Sequence, residues 1–141
     1  MNAWACDFPW PPSDNHAHHN VRTNLRILTA KAQGFVDVAK KTVADAVGAP
    51  GFAHYELQED RLGIKLTFFP PDRGRRDIQN HTKLACDSLQ AGGLVADDAQ
   101  FDVVELRRAP AVPGGGIHVE VWSLSEAECA ELDNWEWTEE A

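Results

Sequence analysis

The sequence predicts a small α/β (α+β) fold, a mixed sheet in the order β-α-β-α-β-β with helices packed on it. Three observations predict it. Residues 61–69 alternate apolar and polar positions, the period of a half-buried strand. Residues 29–47 instead carry apolar residues at three- and four-residue steps, the period of an amphipathic helix. Pro70-Pro71, Gly92-Gly93 and the Pro- and Gly-rich residues 110–116 separate the runs. At 141 residues and 43% apolar composition the chain holds one core, which dimerisation would help to stabilise.

In chain order, residues 2–8 place Trp4, Cys6 and Phe8 in loose alternation, as in a first strand. Pro9-Trp10-Pro11-Pro12 must leave that strand, because proline lacks the N–H that a sheet interior requires. A loop is expected through Ser13-Asp14-Asn15-His16-Ala17-His18-His19-Asn20. Three histidines this close can bind metal, but no Cys or fourth ligand stands at a zinc spacing, so a solvated loop is expected.

Ala32, Phe35, Val36, Ala39, Val43, Ala46 and Val47 form the apolar stripe of the first helix. Lys31, Lys40, Lys41 and Asp45 fall on or near its other face, Thr29 stands at the N-cap, and Gly48 with Pro50 ends it. Residues 48–60 read as a loop. In the strand of residues 61–69, Leu62, Ile64, Leu66 and Phe68 alternate with Arg61, Gly63, Lys65 and Thr67. A second helix is expected over residues 78–91, with Ile78, Ala85 and Leu89 on one side and Gln79, Asn80, Lys83, Asp87 and Gln90 on the other. Residues 101–109 read as a strand with Arg107-Arg108 at its far end, followed by a turn and a last strand through Ile117, Val119 and Val121. Ser125 and Glu128 have capping-box spacing, so residues 125–134 are expected to form a short acidic helix.

The net charge of −9 argues against a polyanionic ligand until its distribution is read. Residues 125–141 hold seven acidic residues and no Lys or Arg, which leaves residues 1–124 with 13 basic and 15 acidic residues, a net of −2. The chain therefore divides into a body, residues 1–124, and an acidic tail, residues 125–141. No apolar run approaches the roughly 18 residues of a membrane span, and the N-terminus lacks the pattern of a signal peptide. Cys6, Cys86 and Cys129 are odd in number and far apart, as expected of reduced thiols in a cytoplasmic protein.

The chemistry concentrates in Pro70-Pro71-Asp72-Arg73-Gly74-Arg75-Arg76-Asp77-Ile78-Gln79-Asn80-His81-Thr82-Lys83, where a strand gives way to a helix. Asp77 stands where an N-cap would stand, able to accept the orphan N–H groups of the first turn. Asp97-Asp98-Ala99-Gln100 follows just past the helix. Acid, a helix with one lysine, then acid can hold a divalent cation against a phosphate. The polar stripe Gln79, Lys83, Asp87 also suits a merely solvated face, but Arg75 and Arg76 just before it favour an anion site.

These segments resemble the RusA-type Holliday junction resolvases, crossover junction endodeoxyribonucleases that are small homodimers from bacteria and their phages. The resemblance rests on Phe8-Pro9-Trp10-Pro11-Pro12-Ser13-Asp14-Asn15, on Arg75-Arg76-Asp77-Ile78-Gln79-Asn80 with Lys83 and Asp87, and on Asp97-Asp98-Ala99-Gln100. It covers about residues 1–124. It implies a structure-selective endonuclease for four-way junctions and other branched DNA, acting in recombination and repair, in the cytoplasm of a bacterial cell or encoded by a phage or prophage. The family's set is three aspartates and a lysine. By position these are Asp77, Asp98 and Lys83, while the second aspartate falls on Gln79.

The resemblance further implies Mg²⁺, with Mn²⁺ as a substitute, held by Asp77 and Asp98 with Gln79 as a neutral oxygen ligand. Asp87 or Asp97 can offset the lost charge. Lys83 would contact the scissile phosphate. Arg73, Arg75, Arg76, Asn80, Arg107, Arg108 and Asn15 are the candidate DNA contacts. One alternative is a weakened or inactive dimer that binds branched DNA without cutting it, because of Gln79. Another is a metal-dependent phosphoesterase acting on a small nucleotide, which needs a closed pocket; no Gly-rich phosphate loop supports it. The tail is expected to compete with DNA, to engage a protein partner, or to act only as a solubilising segment.

Overall fold

The computed structural model describes residues 3–14, 18–22, 25–49 and 54–138. Strand β1 (Ala3–Phe8) is followed by a hairpin of β2 (His18–Arg22) and β3 (Leu25–Leu28), helix α1 (Ala30–Val47) and a short α2 (His54–Glu59). Strand β4 (Leu62–Phe69) leads through a 3₁₀ turn (Ile78–His81) into α3 (Lys83–Ala91). A second 3₁₀ turn (Asp98–Gln100) precedes β5 (Phe101–Arg108), β6 (Gly116–Ser123) and α4 (Glu126–Asp133). The expected β-α-β-α-β-β frame is present as β1, α1, β4, α3, β5 and β6.

The four-stranded sheet has the order β1-β6-β4-β5. β4 pairs parallel with β5 and antiparallel with β6, and α3 lies in the crossover that the parallel pair requires. Alternation turns Leu62, Ile64, Leu66 and Phe68 of β4 inward, each fully buried, beside Ile117, Val119 and Val121 of β6. Ala32, Phe35, Ala39 and Val43 of α1 and Leu84, Ala85 and Leu89 of α3 complete this core. The alternate β4 positions meet polar neighbours. The Lys65 Nζ lies 3.9 Å from Glu105 and 4.0 Å from Glu120. Gly63 is required by packing, because a Cβ there would stand 2.3 Å from the Trp122 ring. Val104, in register with Ile64, sits on the outer strand and is 54% exposed.

Thr29 caps α1 by accepting from the Ala32 N–H at 3.3 Å, and Gly48 closes it. Ser125 and Glu128 form both halves of the expected capping box on α4. Asp133 reaches Arg61 at 2.9 Å, and the Trp122 indole N–H approaches Glu128 at 3.5 Å. The start of the acidic tail is thus tied to the sheet. Arg61 precedes β4 whereas the arginine stretch follows it, so this tie lies about 25 Å along the strand from that stretch.

Three expectations are corrected. The loop through His18, His19 and Asn20 is in part strand, since His18–Arg22 pairs with Leu25–Leu28. The polar run His18-His19-Asn20 hides a hairpin whose backbone groups satisfy one another. Within residues 48–60, read as a loop, α2 forms. It is fixed by the buried Leu57 and by hydrogen bonds from the Gln58 amide to the Gly93 carbonyl (2.8 Å) and from the Gln100 amide to the Leu57 and Asp60 carbonyls (2.9 and 2.8 Å). The helix expected over residues 78–91 is broken at Thr82 into the 3₁₀ turn and α3. His81 causes the break by turning inward to donate its Nδ1–H to the Pro11 carbonyl at 3.1 Å.

Candidate active site

Pro70 and Pro71 end β4, and the next residues fold back on Asp72. Its carboxylate accepts the Gly74 N–H at 2.7 Å and both arms of the Arg76 guanidinium, at 2.7 and 3.1 Å. The Arg76 fork, with the Gly74 N–H second, holds the Asp72 carboxyl down to about 2. Arg76 also lies 5.9 Å from the Trp10 ring centre, and Trp10 packs on His81 with centroids 4.9 Å apart. From β5, Arg108 donates to the Arg76 carbonyl at 2.6 Å. Arg73 and Arg75 are exposed, and Arg107 pairs with Glu105 at 3.0 Å. The stretch thus holds Arg76 and Arg108 in place and leaves Arg73 and Arg75 facing solvent.

Asp77 caps the first 3₁₀ turn, accepting from the Gln79 N–H at 3.1 Å. Gln79 is exposed and Asn80 half-buried. Lys83 opens α3 with an exposed side chain, 3.5 Å from Asp87. Beyond the helix, Asp97 is committed to the second turn. It accepts from the Ala99 N–H at 2.9 Å while the Gln100 side chain accepts from the Asp97 N–H at 3.0 Å. The Ala99 N–H, then the Asp98 carboxyl, hold the Asp97 carboxyl below its usual range. Asp98 itself is exposed. The structure therefore gives Asp97 a turn-forming task and leaves Asp98 outward.

The half-buried Cys86 shows what surrounds α3. Burial pushes its thiol up to about 12, assisted by the charges of Asp87, Asp98 and Asp14 and opposed by Lys83. Lys83, Asp87, Asp98 and Asp14, the last a residue the sequence reading left in the loop, thus all act on Cys86. Thr82 makes no side-chain cap on α3; the Lys83 N–H donates to the Asp14 carboxylate instead. Burial raises the Asp14 carboxyl above its usual range despite that hydrogen bond and the positive charge nearby. Its Oδ1 is buried with no hydrogen-bond partner. In the sequence Asp14 stood out only as a member of the proline-rich motif Phe8-Pro9-Trp10-Pro11-Pro12-Ser13-Asp14-Asn15, with no role of its own.

Asp77 and Gln79 stand N-terminal to Lys83 on the 3₁₀ turn. Among the described residues, no three His, Cys, Asp or Glu side chains form a group able to hold a metal ion. Asn15 and His16 lie outside the described residues, as do the side chains of His18 and His19. Beside the site, a cleft of about 670 Å³ is lined by Trp10, Pro11, Phe35, His81 and the cations Lys31 and Arg76. Among the described residues, no helix is long and apolar enough to cross a membrane. The three cysteines are free thiols.

A carboxylate cluster with one exposed lysine, next to an arginine stretch, suits a phosphodiester. The family model for endodeoxyribonuclease RusA matches residues 9–122, which includes every strand and helix of the frame except β1 and the last residue of β6, and excludes α4. The crossover junction endodeoxyribonucleases RusA of Shigella sonnei (strain Ss046) and Escherichia coli (strain K12) are each 30% identical over 126 residues, covering 88% of this chain and 98% of each relative. The crossover junction endodeoxyribonuclease of Enterobacteria phage 82 is 28% identical, with the same coverage. The chain belongs to the RusA endodeoxyribonuclease family.

Proposed function

We propose that the protein is a structure-selective endonuclease that resolves Holliday junctions and other branched DNA by metal-dependent phosphodiester hydrolysis. Its relatives are crossover junction endodeoxyribonucleases, and the chain spans nearly their whole length. The observation that carries the reading is Lys83, an exposed cation at the start of α3, set among Asp87, Asp98 and Asp14 and preceded by the arginine stretch.

The donors are of the type a divalent cation takes, hard carboxylate and amide oxygens, although among the described residues no three acidic side chains are grouped around one point. We assign Asp77, Asp98 and the Gln79 amide oxygen to the ion, with Asp87 at its margin. When bound, Mg²⁺ or Mn²⁺ supplies charge neutralisation at phosphorus and an activated water. The residues themselves do the positioning. Lys83 leaves its pair with Asp87 to meet the scissile phosphate and stabilise the charge that develops there. Arg73 and Arg75 take flanking phosphates, while Asp72 and Trp10 keep Arg76 in place. Arg108, tied to the Arg76 carbonyl, brings the end of β5 to the same surface.

A two-fold homodimer would present two such sites to symmetry-related strands. The small-nucleotide reading gains nothing from the structure, because the carboxylates and Lys83 do not line the cleft. The test is Mg²⁺-dependent nicking of a synthetic four-way junction by the purified protein. Binding without cutting at any Mg²⁺ or Mn²⁺ concentration would leave a non-cleaving junction-binding protein in its place.

A further inference from the structure

The cleft beside Trp10 and the last residues of the chain are complementary in charge and in apolar character. The cleft, of about 670 Å³, has room for an indole side chain and its neighbours. Trp10, Pro11, Phe35 and Pro71 form apolar walls, Lys31 and Arg76 bring positive charge, and among the described residues no carboxylate lines it. Asp72 already holds both arms of the Arg76 guanidinium, so the exposed Lys31 is the cation left for a ligand. Such a lining suits a ligand that is both aromatic and anionic. The segment Asp133-Asn134-Trp135-Glu136-Trp137-Thr138-Glu139-Glu140 has that chemistry, and it lies beyond the residues the family model matches. Trp135 and Trp137 are largely exposed, two large apolar side chains that their own body leaves uncovered.

The segment falls short of the cleft of its own chain. Asp133 is held at Arg61, which precedes β4, whereas Pro71 of the cleft wall follows β4, whose eight residues span about 25 Å. Trp135 and Trp137 stand two and four residues past Asp133, a reach of about 7 and 14 Å at full extension. A second copy is under no such limit. We propose that the Trp135–Trp137 segment of one copy docks in the cleft of a second copy, with an indole against Trp10 and Pro11 and the neighbouring carboxylates on Lys31. Docked there, the acids lie beside the arginine stretch and compete with a polyanion for it. The docking does not depend on the nuclease reading, and its test reads no activity.

The probe is a fluorescent synthetic peptide of residues 133–141. It is titrated onto the full-length protein carrying Trp135→Ala and Trp137→Ala, whose own segment no longer competes. The expected result is saturable binding, weakened at least tenfold by Lys31→Glu in the protein at unchanged melting temperature, and weakened as much when both tryptophans of the peptide are alanine. No binding, or equal binding by the Lys31→Glu protein or by the alanine peptide, would overturn the proposal. In the parent protein a carbodiimide should join the Lys31 amine to a carboxylate of residues 133–140 as an amide, with loss of water, in a band of doubled mass on a denaturing gel. The same linkage in the band of single mass would overturn the assignment to a second copy. Its absence from both bands would overturn the docking itself.

Discussion

The Lys83 backbone N–H donates to the Asp14 carboxylate, so the proline-rich loop caps the helix that begins with the exposed Lys83. Two segments far apart in sequence are thereby fixed to one another. The buried His81, bonded to the Pro11 carbonyl, makes the same connection two residues earlier. Lys83 is held by this loop as much as by its own helix.

Gln79→Asp should raise cleavage at limiting Mg²⁺ by about tenfold, the scale on which a ligand-shell change alters metal affinity. Gln79 is exposed beside Asp77, so the added carboxylate faces no burial penalty. The check is cleavage rate against Mg²⁺ concentration. Superimposable curves would place Gln79 away from the ion.

Leu57→Ala should destabilise the fold by about 3 kcal/mol, the usual cost of emptying a buried leucine site. Leu57 is 2% exposed and anchors α2 in the core. Chemical denaturation with an unchanged slope would measure it. A loss below about 0.5 kcal/mol would show that α2 does not contribute to the core.

Cys6 and Cys86 should resist alkylation at pH 8 in the folded protein and react once it is unfolded. Burial, as the larger cause, pushes each thiol up to about 12 from an ordinary 9.0. The folded state binds these protons more tightly, so their contribution to stability is fully present below pH 9 and is lost as pH rises towards 12. Melting temperature followed over that range should fall, and the fall should be smaller in Cys86→Ala.

Removing residues 135–141 should leave the melting temperature unchanged and tighten junction binding at low salt, with the gain shrinking as salt rises. Trp135 and Trp137 are 79% and 89% exposed, and the body's ties to α4 end at Asp133. Equal dissociation constants for the parent and the truncated protein at low salt would exclude competition with DNA and leave a solubilising or partner-binding role.

What was legible in the sequence was local. The Leu62 to Phe68 alternation and the Ala32 to Val47 stripe each carry their own period, and both became elements close to their expected bounds. The β2–β3 hairpin was hidden because His18-His19-Asn20 has no apolar alternation. α2 was hidden because six residues are too few to show a helical period. The break at Thr82 depends on Pro11 and Asp14, partners that no local window contains. The same holds at the site. Asp77, Lys83 and Asp98 were readable as spaced motifs, whereas Asp14 became visible only when the loop lay against α3.

The most direct test of the account is cleavage of a synthetic four-way junction with Mg²⁺ by the parent protein and by Asp98→Asn, with binding measured alongside. Asp97 and Asp98 are both exposed, but the Asp97 carboxylate is taken by the Ala99 N–H. The account predicts Mg²⁺-dependent nicking by the parent and a loss of about 100-fold or more in the variant. Junction binding by the variant should be equal or tighter, because a charge that repels phosphate is gone. Full cleavage by Asp98→Asn, or no cleavage by the parent at any Mg²⁺ concentration, would contradict it.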